Sequence, residues 1–313
     1  MTKAAVCADG PLADVLPDEF AGIEWTPTLP TVASPSWVGG DSVFFEGRSA
    51  DGVHVLARCM RPSAAIRADY SAMFAAMEVA GGAGLAPAVL FHDATRGVCV
   101  QEKLGDAWQI ATLYRLLDAH AWQASVRVRL QFRELAPDLP RVSVFDQVAT
   151  LLAYMRDHAV HIPPIAQEVI AAVEEARGCM RDGPEAVACH GDGAVSNVML
   201  STNGVRLVGW TQAGRMDPLE EVGSLLTELA PFIADAETVF EFAWGDRDPV
   251  ALARAQLYGV ADDLRWALVG WCAQASQAGS AIEYQKYANW RLQKARCAVT
   301  NGGQFVRWLK EAR

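Results

Sequence analysis

Basic runs are missing from this chain. No stretch of Lys or Arg exceeds two residues, and 27 Lys+Arg against 37 Asp+Glu give a net charge of -10. Nucleic acid and anionic membrane surfaces both call for basic patches, so neither is expected as a partner. The seven cysteines, at 7, 59, 99, 179, 189, 272 and 297, are odd in number, scattered and without a C-x-x-C pair, which argues against a disulfide framework. The opening MTKAAVCADGPLADVL has no apolar core of about 7–15 residues ending in a small-residue cleavage site, and no apolar run of about 18 residues follows. The cytoplasm is therefore the expected location, with no membrane span. A G-x-S-x-G elbow, a Walker loop, a dinucleotide fingerprint and an internal repeat are absent too. What remains is 313 residues, 51% of them hydrophobic, enough for a large core and two lobes but not for three ordinary domains.

The run AVACHGDGAVSNVML carries the chemistry. Apolar Val187-Ala188-Cys189 predicts a short buried strand that delivers His190; Gly191 permits a tight turn and Asp192 stands at its tip. Val198-Met199-Leu200 predicts the next strand, with Asn197 fixed at its start. After the Asn203-Gly204 turn, Val205-Arg206-Leu207-Val208 is its hairpin partner, whose end returns residue 209 beside Asn197. In kinases an Asp on such a loop accepts the proton of the attacking hydroxyl, an Asn five residues later holds Mg²⁺, and a second Asp on the following strand holds the metals. That second position is Gly209, which supplies no ligand.

These residues resemble the H-G-D-x-x-x-x-N motif of the aminoglycoside-phosphotransferase and choline-kinase superfamily. The likeness continues through VRLVGWTQAGRMDPLEEVG: Val208, Trp210, Ala213, Gly214, Asp217 and Pro218 match, Gly209 replaces the metal Asp, and Glu221 stands where a later Asp would be. Residues 264–296 resemble the C-terminal helices of choline and ethanolamine kinases, with Trp266, Trp271, Tyr284, Tyr287 and Trp290 as aromatic members. Aromatic faces can box an ammonium at roughly 0.5–2 kcal/mol each. Aromatic residues at helical spacing also simply fill cores. The resemblance makes Trp266, Tyr287 and Trp271 the substrate candidates, for a small cationic amino alcohol such as choline or ethanolamine.

It also implies an α+β, bilobal protein-kinase-like fold, with a small antiparallel-sheet lobe at 1–103 and a larger, mainly helical lobe at 104–313. SWVGGDSVFFEG and VHVLARCM read as a strand hairpin over residues 36–60, in which Gly39, Gly40 and Ser42 are candidates for a phosphate-covering loop. A bare Gly-Gly serves equally as an ordinary hairpin turn. Arg58 falls where the family keeps a Lys or Arg on the nucleotide phosphates, the other reading being a solvent-facing strand residue. The kinase pattern pairs that cation with a Glu of the next helix; the helix expected at 68–80 offers Asp69 and Glu78, neither clearly matching. His158 and His161 have a metal-compatible spacing but read as a helix-end pair.

The implied cofactors are ATP and Mg²⁺. Asp192 would deprotonate the acceptor hydroxyl, His190 would hold the loop by hydrogen bonding, Asn197 would bind the metal, and Arg58 would steady ATP. Losing one preorganised electrostatic group costs on the order of 10²–10³ in rate. Gly209 therefore keeps an alternative open, a catalytically degenerate pseudokinase that binds a small cation, a nucleotide or a protein partner without turnover.

Overall fold

The computed structural model describes residues 12–29, 31–33, 36–50, 52–180, 183–277 and 282–313. Most of the opening segment read for a leader, and Cys7 within it, lie outside these residues.

The N-terminal portion is an antiparallel sheet crossed by one helix. β1 (Glu24–Thr28), β2 (Ser42–Arg48), β3 (His54–Met60), α1 (Tyr70–Gly82), β4 (Val89–Asp93) and β5 (Val98–Glu102) follow in sequence, and the strands lie in the order β1-β2-β3-β5-β4. Side chains alternate across a strand, so β3 feeds two clusters. Val55, Ala57 and Cys59 pack with Phe20, Val98 and Val100, while Met60 packs with Met73, Phe74 and Met77 of α1. Arg58 shares the face of Met60 and is buried, which sets aside the solvent-facing reading. α1 starts later than expected because Asp69 caps it, accepting from the backbone N–H groups of Ser71 at 2.9 Å and Ala72 at 3.1 Å.

The larger portion is mainly helical, with short strands inserted. In chain order it comprises β6 (Gln109–Ile110), α2 (Ala119–Glu134), α3 (Val144–Asp157), α4 (Gln167–Cys179), β7 (Val187–Cys189), β8 (Val198–Ser201), β9 (Gly204–Leu207), β10 (Gly214–Met216), α5 (Pro218–Leu229), α6 (Ala236–Trp244), α7 (Pro249–Ser276), α8 (Tyr284–Thr300) and α9 (Gln304–Glu311). α7 runs 28 residues through the middle, touching α3, α4, α5, α8 and α9. It is buried around most of its girth, as an all-round apolar sequence requires. Its start is set by Asp248 as N-cap and Pro249 at the first helical position. The β8–β9 hairpin pairs Val198 with Leu207 and Ser201 with Gly204, as the spacing predicts.

Cys99, Cys179, Cys189, Cys272 and Cys297 are free thiols, whereas Cys59 takes part in a disulfide. No helix among the described residues is long and apolar enough to cross a membrane.

Candidate active site

β7 ends at Cys189 and hands the chain to a loop that three helical side chains hold in place. Gly191 turns it at φ +74°, where a Cβ would come within 2.6 Å of the Gln212 carbonyl oxygen. Arg129 of α2 donates to the Asp192 carbonyl at 2.9 Å. From α5, Glu221 accepts from the Gly191 N–H at 3.0 Å and Ser224 accepts from the Gly193 N–H at 2.8 Å. Burial alone would raise the Glu221 pKa, but Arg133, 3.2 Å away, and Arg129 hold it below the usual carboxylate range, so it stays an anionic anchor. His190 sits behind this loop, fully buried. Its Nδ1 lies 3.1 Å from the Asp192 carbonyl and its Nε2 2.9 Å from that of Val208. Burial and the neighbouring Arg129 pull its pKa down to about 4, so the neutral ring donates to one of the two and serves to position the loop.

Asp192 is 2% exposed. One carboxylate oxygen accepts from the Ala194 N–H at 2.8 Å and the other from the Asn197 Nδ2 at 2.9 Å. Burial pushes its pKa up to about 6 against the Ala194 hydrogen bond, with Asp262 adding to the rise. A carboxylate poised near neutrality and held at a cleft is suited to general-base work.

The metal half of the motif is altered in more than one place. Gly209 lies in the left-handed region at φ 74° and ψ 52°, and a Cβ built on it would fall 2.1 Å from Asn197 Oδ1. The Asn197 amide thus fills the space a side chain at 209 would need. Neighbouring acids do not substitute. Asp217 caps α5 and accepts from the Tyr258 hydroxyl at 3.0 Å. Glu220 is buried and does not line the cleft that holds Asp192 and Asn197, and Glu221 is committed to the loop. Both oxygens of Asp41 lie 2.7 Å from Arg67 Nη2. Among the described residues no group of three or more His, Cys, Asp or Glu is placed to hold a metal ion. The residues present do not fit the Mg²⁺ arrangement that the resemblance implies.

Arg58 is a buried cation with no hydrogen bond or ion pair among the described residues. It is 8% exposed, its Nε has no partner, and its guanidinium carbon lies 5.2 Å from the Phe44 ring centroid. The carboxylates of α1 are engaged elsewhere, Glu78 with His92 at 3.1 Å and Asp69 at the helix cap. Burial lowers the Arg58 pKa, yet a guanidinium keeps its proton. An unpaired guanidinium in a low-dielectric cleft is a site for an anion.

One cleft between the sheet and the helices collects most of the expected residues. Gly39, Gly40, Ser42 and Arg58 line it from the sheet side, Asp192 and Asn197 from the loop, and Trp266 and Tyr287 from α7 and α8. Trp271 is packed in the core and does not line it. Sequence reasoning did not select Trp37, Asp41, Glu228, Asp262 or Arg291, which also line it. Arg291 bridges Asp262 at 2.8 Å, Asp263 at 2.8 Å and Glu228 at 3.1 Å. Adjacent acids inside the apolar run of α7 were the available signal, since buried carboxylates require partners.

The fold recurs in solved structures. A choline/ethanolamine kinase family protein from Mesorhizobium loti superposes with a TM-score of 0.71 at 20% identity, covering 98% of this chain and 96% of that one. The choline kinase LicA from Streptococcus pneumoniae gives 0.67 at 15% identity over 82% and 89%. An aminoglycoside phosphotransferase in ternary complex with ADP and hygromycin B gives 0.58 at 17% over 91% and 96%. No curated protein matches the sequence. The phosphotransferase enzyme family, however, matches residues 43–268. That span holds all but the first residue of β2, then β3 to β5, the Asp192 loop and most of α7, and it makes this chain a member of the phosphotransferase enzyme family.

Proposed function

We propose that this protein transfers the terminal phosphoryl group of a nucleoside triphosphate to the hydroxyl of a small amino alcohol. The observation that carries the reading is that Asp192, a buried carboxylate with its pKa at about 6, and Arg58, a buried guanidinium whose Nε has no hydrogen bond, line the same cleft. Arg58 and the backbone at Gly39 and Gly40 receive the phosphates. The acceptor oxygen attacks the terminal phosphorus, the bond to the leaving nucleoside diphosphate breaks, and the hydroxyl proton passes to Asp192. At one end of the cleft Asp262 and Glu228 are paired with Arg291, which leaves Asp192 as the carboxylate without an ion pair among the described residues, suited to an ammonium, and Trp266 and Tyr287 give that end an apolar wall. Choline and ethanolamine kinases among the structural neighbours support the acceptor class, and the ADP bound to the aminoglycoside phosphotransferase supports the donor.

Charge neutralisation falls to Arg58, since the metal arrangement does not fit. Turnover is accordingly expected at about 10²–10³ below that of a complete site. A second reading, binding without turnover, draws on one observation: the Asn197 amide is hydrogen-bonded to Asp192. ADP release with ATP and a panel of choline, ethanolamine and related amino alcohols decides between them, with Asp192→Ala as control. Acceptor-dependent release lost in the control supports transfer; its absence with every acceptor favours binding alone.

A further inference from the structure

Trp37 belongs to the glycine loop of the sheet side, yet its ring is packed against the helices opposite. Its centroid lies 5.7 Å from Trp266, 5.3 Å from Tyr284 and 5.2 Å from Tyr287. It is 8% exposed, and its indole N–H has no partner among the described residues. A cation held by aromatic faces sits within about 6 Å of each centroid, which requires the faces to part around it. Trp266 and Tyr287 instead meet edge to face at 6.2 Å, and Trp37 packs on both. The Arg67 guanidinium carbon, 5.2 Å from the Trp266 centroid, uses that ring already. The cleft encloses about 40 Å³, against the roughly 300–1,000 Å³ of small-molecule pockets.

We propose that Trp37 is a gate on the acceptor subsite, its indole standing where the acceptor ammonium binds and leaving before the cation enters. The proposal rests on the reading of this cleft as an acceptor site. The gate is held shut by its own loop. A Cβ on Gly40 would come within 2.3 Å of the Trp37 ring, so the indole lies directly on the Gly40 backbone. The next residue, Asp41, is fastened through both oxygens to Arg67 at 2.7 Å and accepts from Thr211 at 3.4 Å. A closed gate lowers apparent affinity by the fraction of molecules that stand open, and displacing it restores the difference. Trp37 therefore selects against acceptors that cannot compete for its place.

The test is calorimetric titration of tetramethylammonium and of choline into the wild type, Trp37→Ala and Gly40→Ala, with folding checked by circular dichroism. Trp37→Ala removes the gate. Gly40→Ala keeps the indole but pushes it out of place, so the question stays decidable if the first variant fails to fold. Both variants are expected to bind tetramethylammonium about tenfold or more tightly than the wild type. Measurable wild-type binding with equal or weaker binding in the variants overturns the gate, making Trp37 a wall of the pocket, and leaves the acceptor reading standing. No binding by any of the three overturns both.

Discussion

Asn197 Nδ2 donates to Asp192 Oδ2 at 2.9 Å, and the same amide stands where a side chain at residue 209 would begin. Two halves of a phosphoryl-transfer motif that serve different partners, a metal ion and a hydroxyl proton, are joined here by one hydrogen bond. The loss of a carboxylate at 209 and the position of Asn197 are thus one structural fact.

Gly209→Asp must displace that amide. The left-handed backbone at 209 is tolerable for Asp, and the obstructing atoms are the end of a movable side chain. Nucleotide affinity is expected to become Mg²⁺-dependent in the variant, while wild-type affinity changes little on adding a chelator. Calorimetry of ADP with and without Mg²⁺ checks both; wild-type binding abolished by chelation contradicts the account.

Arg58→Met separates function from stability. A charge-assisted contact is worth about 1.5–3 kcal/mol, so nucleotide affinity is expected to fall roughly 10–100-fold. Removing a buried cation that has no hydrogen bond or ion pair among the described residues, with only the Phe44 ring against it, is expected to leave the ligand-free protein as stable or make it more so. Thermal melts with and without ADP report both quantities, and a destabilised ligand-free protein with unchanged affinity goes against the assignment.

Arg291→Met has the opposite character. It leaves the buried carboxylate of Asp262 to Arg265 alone and that of Asp263 to the more distant Lys294, a loss of up to about 3–5 kcal/mol. Denaturant unfolding measures it, and a loss well under 1 kcal/mol shows the network to be dispensable.

Two groups set pH responses. As a base, Asp192 acts deprotonated, so kcat/KM is expected to rise with pH through about 6. Asn197→Ala removes a hydrogen bond to the charged form and moves the inflection to higher pH. A flat profile between pH 5 and 7 rules out this role.

Glu220 holds a proton in the fold up to about pH 8 that the unfolded chain, with the ordinary value of 4.5, releases. Its contribution to stability is complete below 4.5 and is lost as pH rises to about 8. The wild type is therefore expected to lose more melting temperature than Glu220→Gln between pH 5 and 8.5. Parallel losses in the two proteins contradict the assignment.

Local spacing made the Asp192 loop and the β8–β9 hairpin readable in advance, because a turn glycine and a short apolar run dictate each other's place within a few residues. Arg58 was placed by the family resemblance, not by alternation, since its strand is buried on both faces from Val55 to Met60. Trp37 was not readable: its partners on α7 and α8 lie more than 200 positions further along, and no local period announces such a contact. Nor was the Asn197 rotamer, which depends on what is missing at 209, or β6, whose two residues are too short for any pattern. The buried network of Arg291 with Asp262, Asp263 and Glu228 joins three helices, and only the adjacent acids of α7 hinted at it.

Phosphorus NMR of ATP mixed with choline or ethanolamine tests the central claim most directly. The account predicts slow growth of a phosphomonoester resonance matched by ADP with the wild type, and none with Asp192→Asn. An equal phosphomonoester signal from both proteins, or ADP accompanied only by inorganic phosphate, contradicts it.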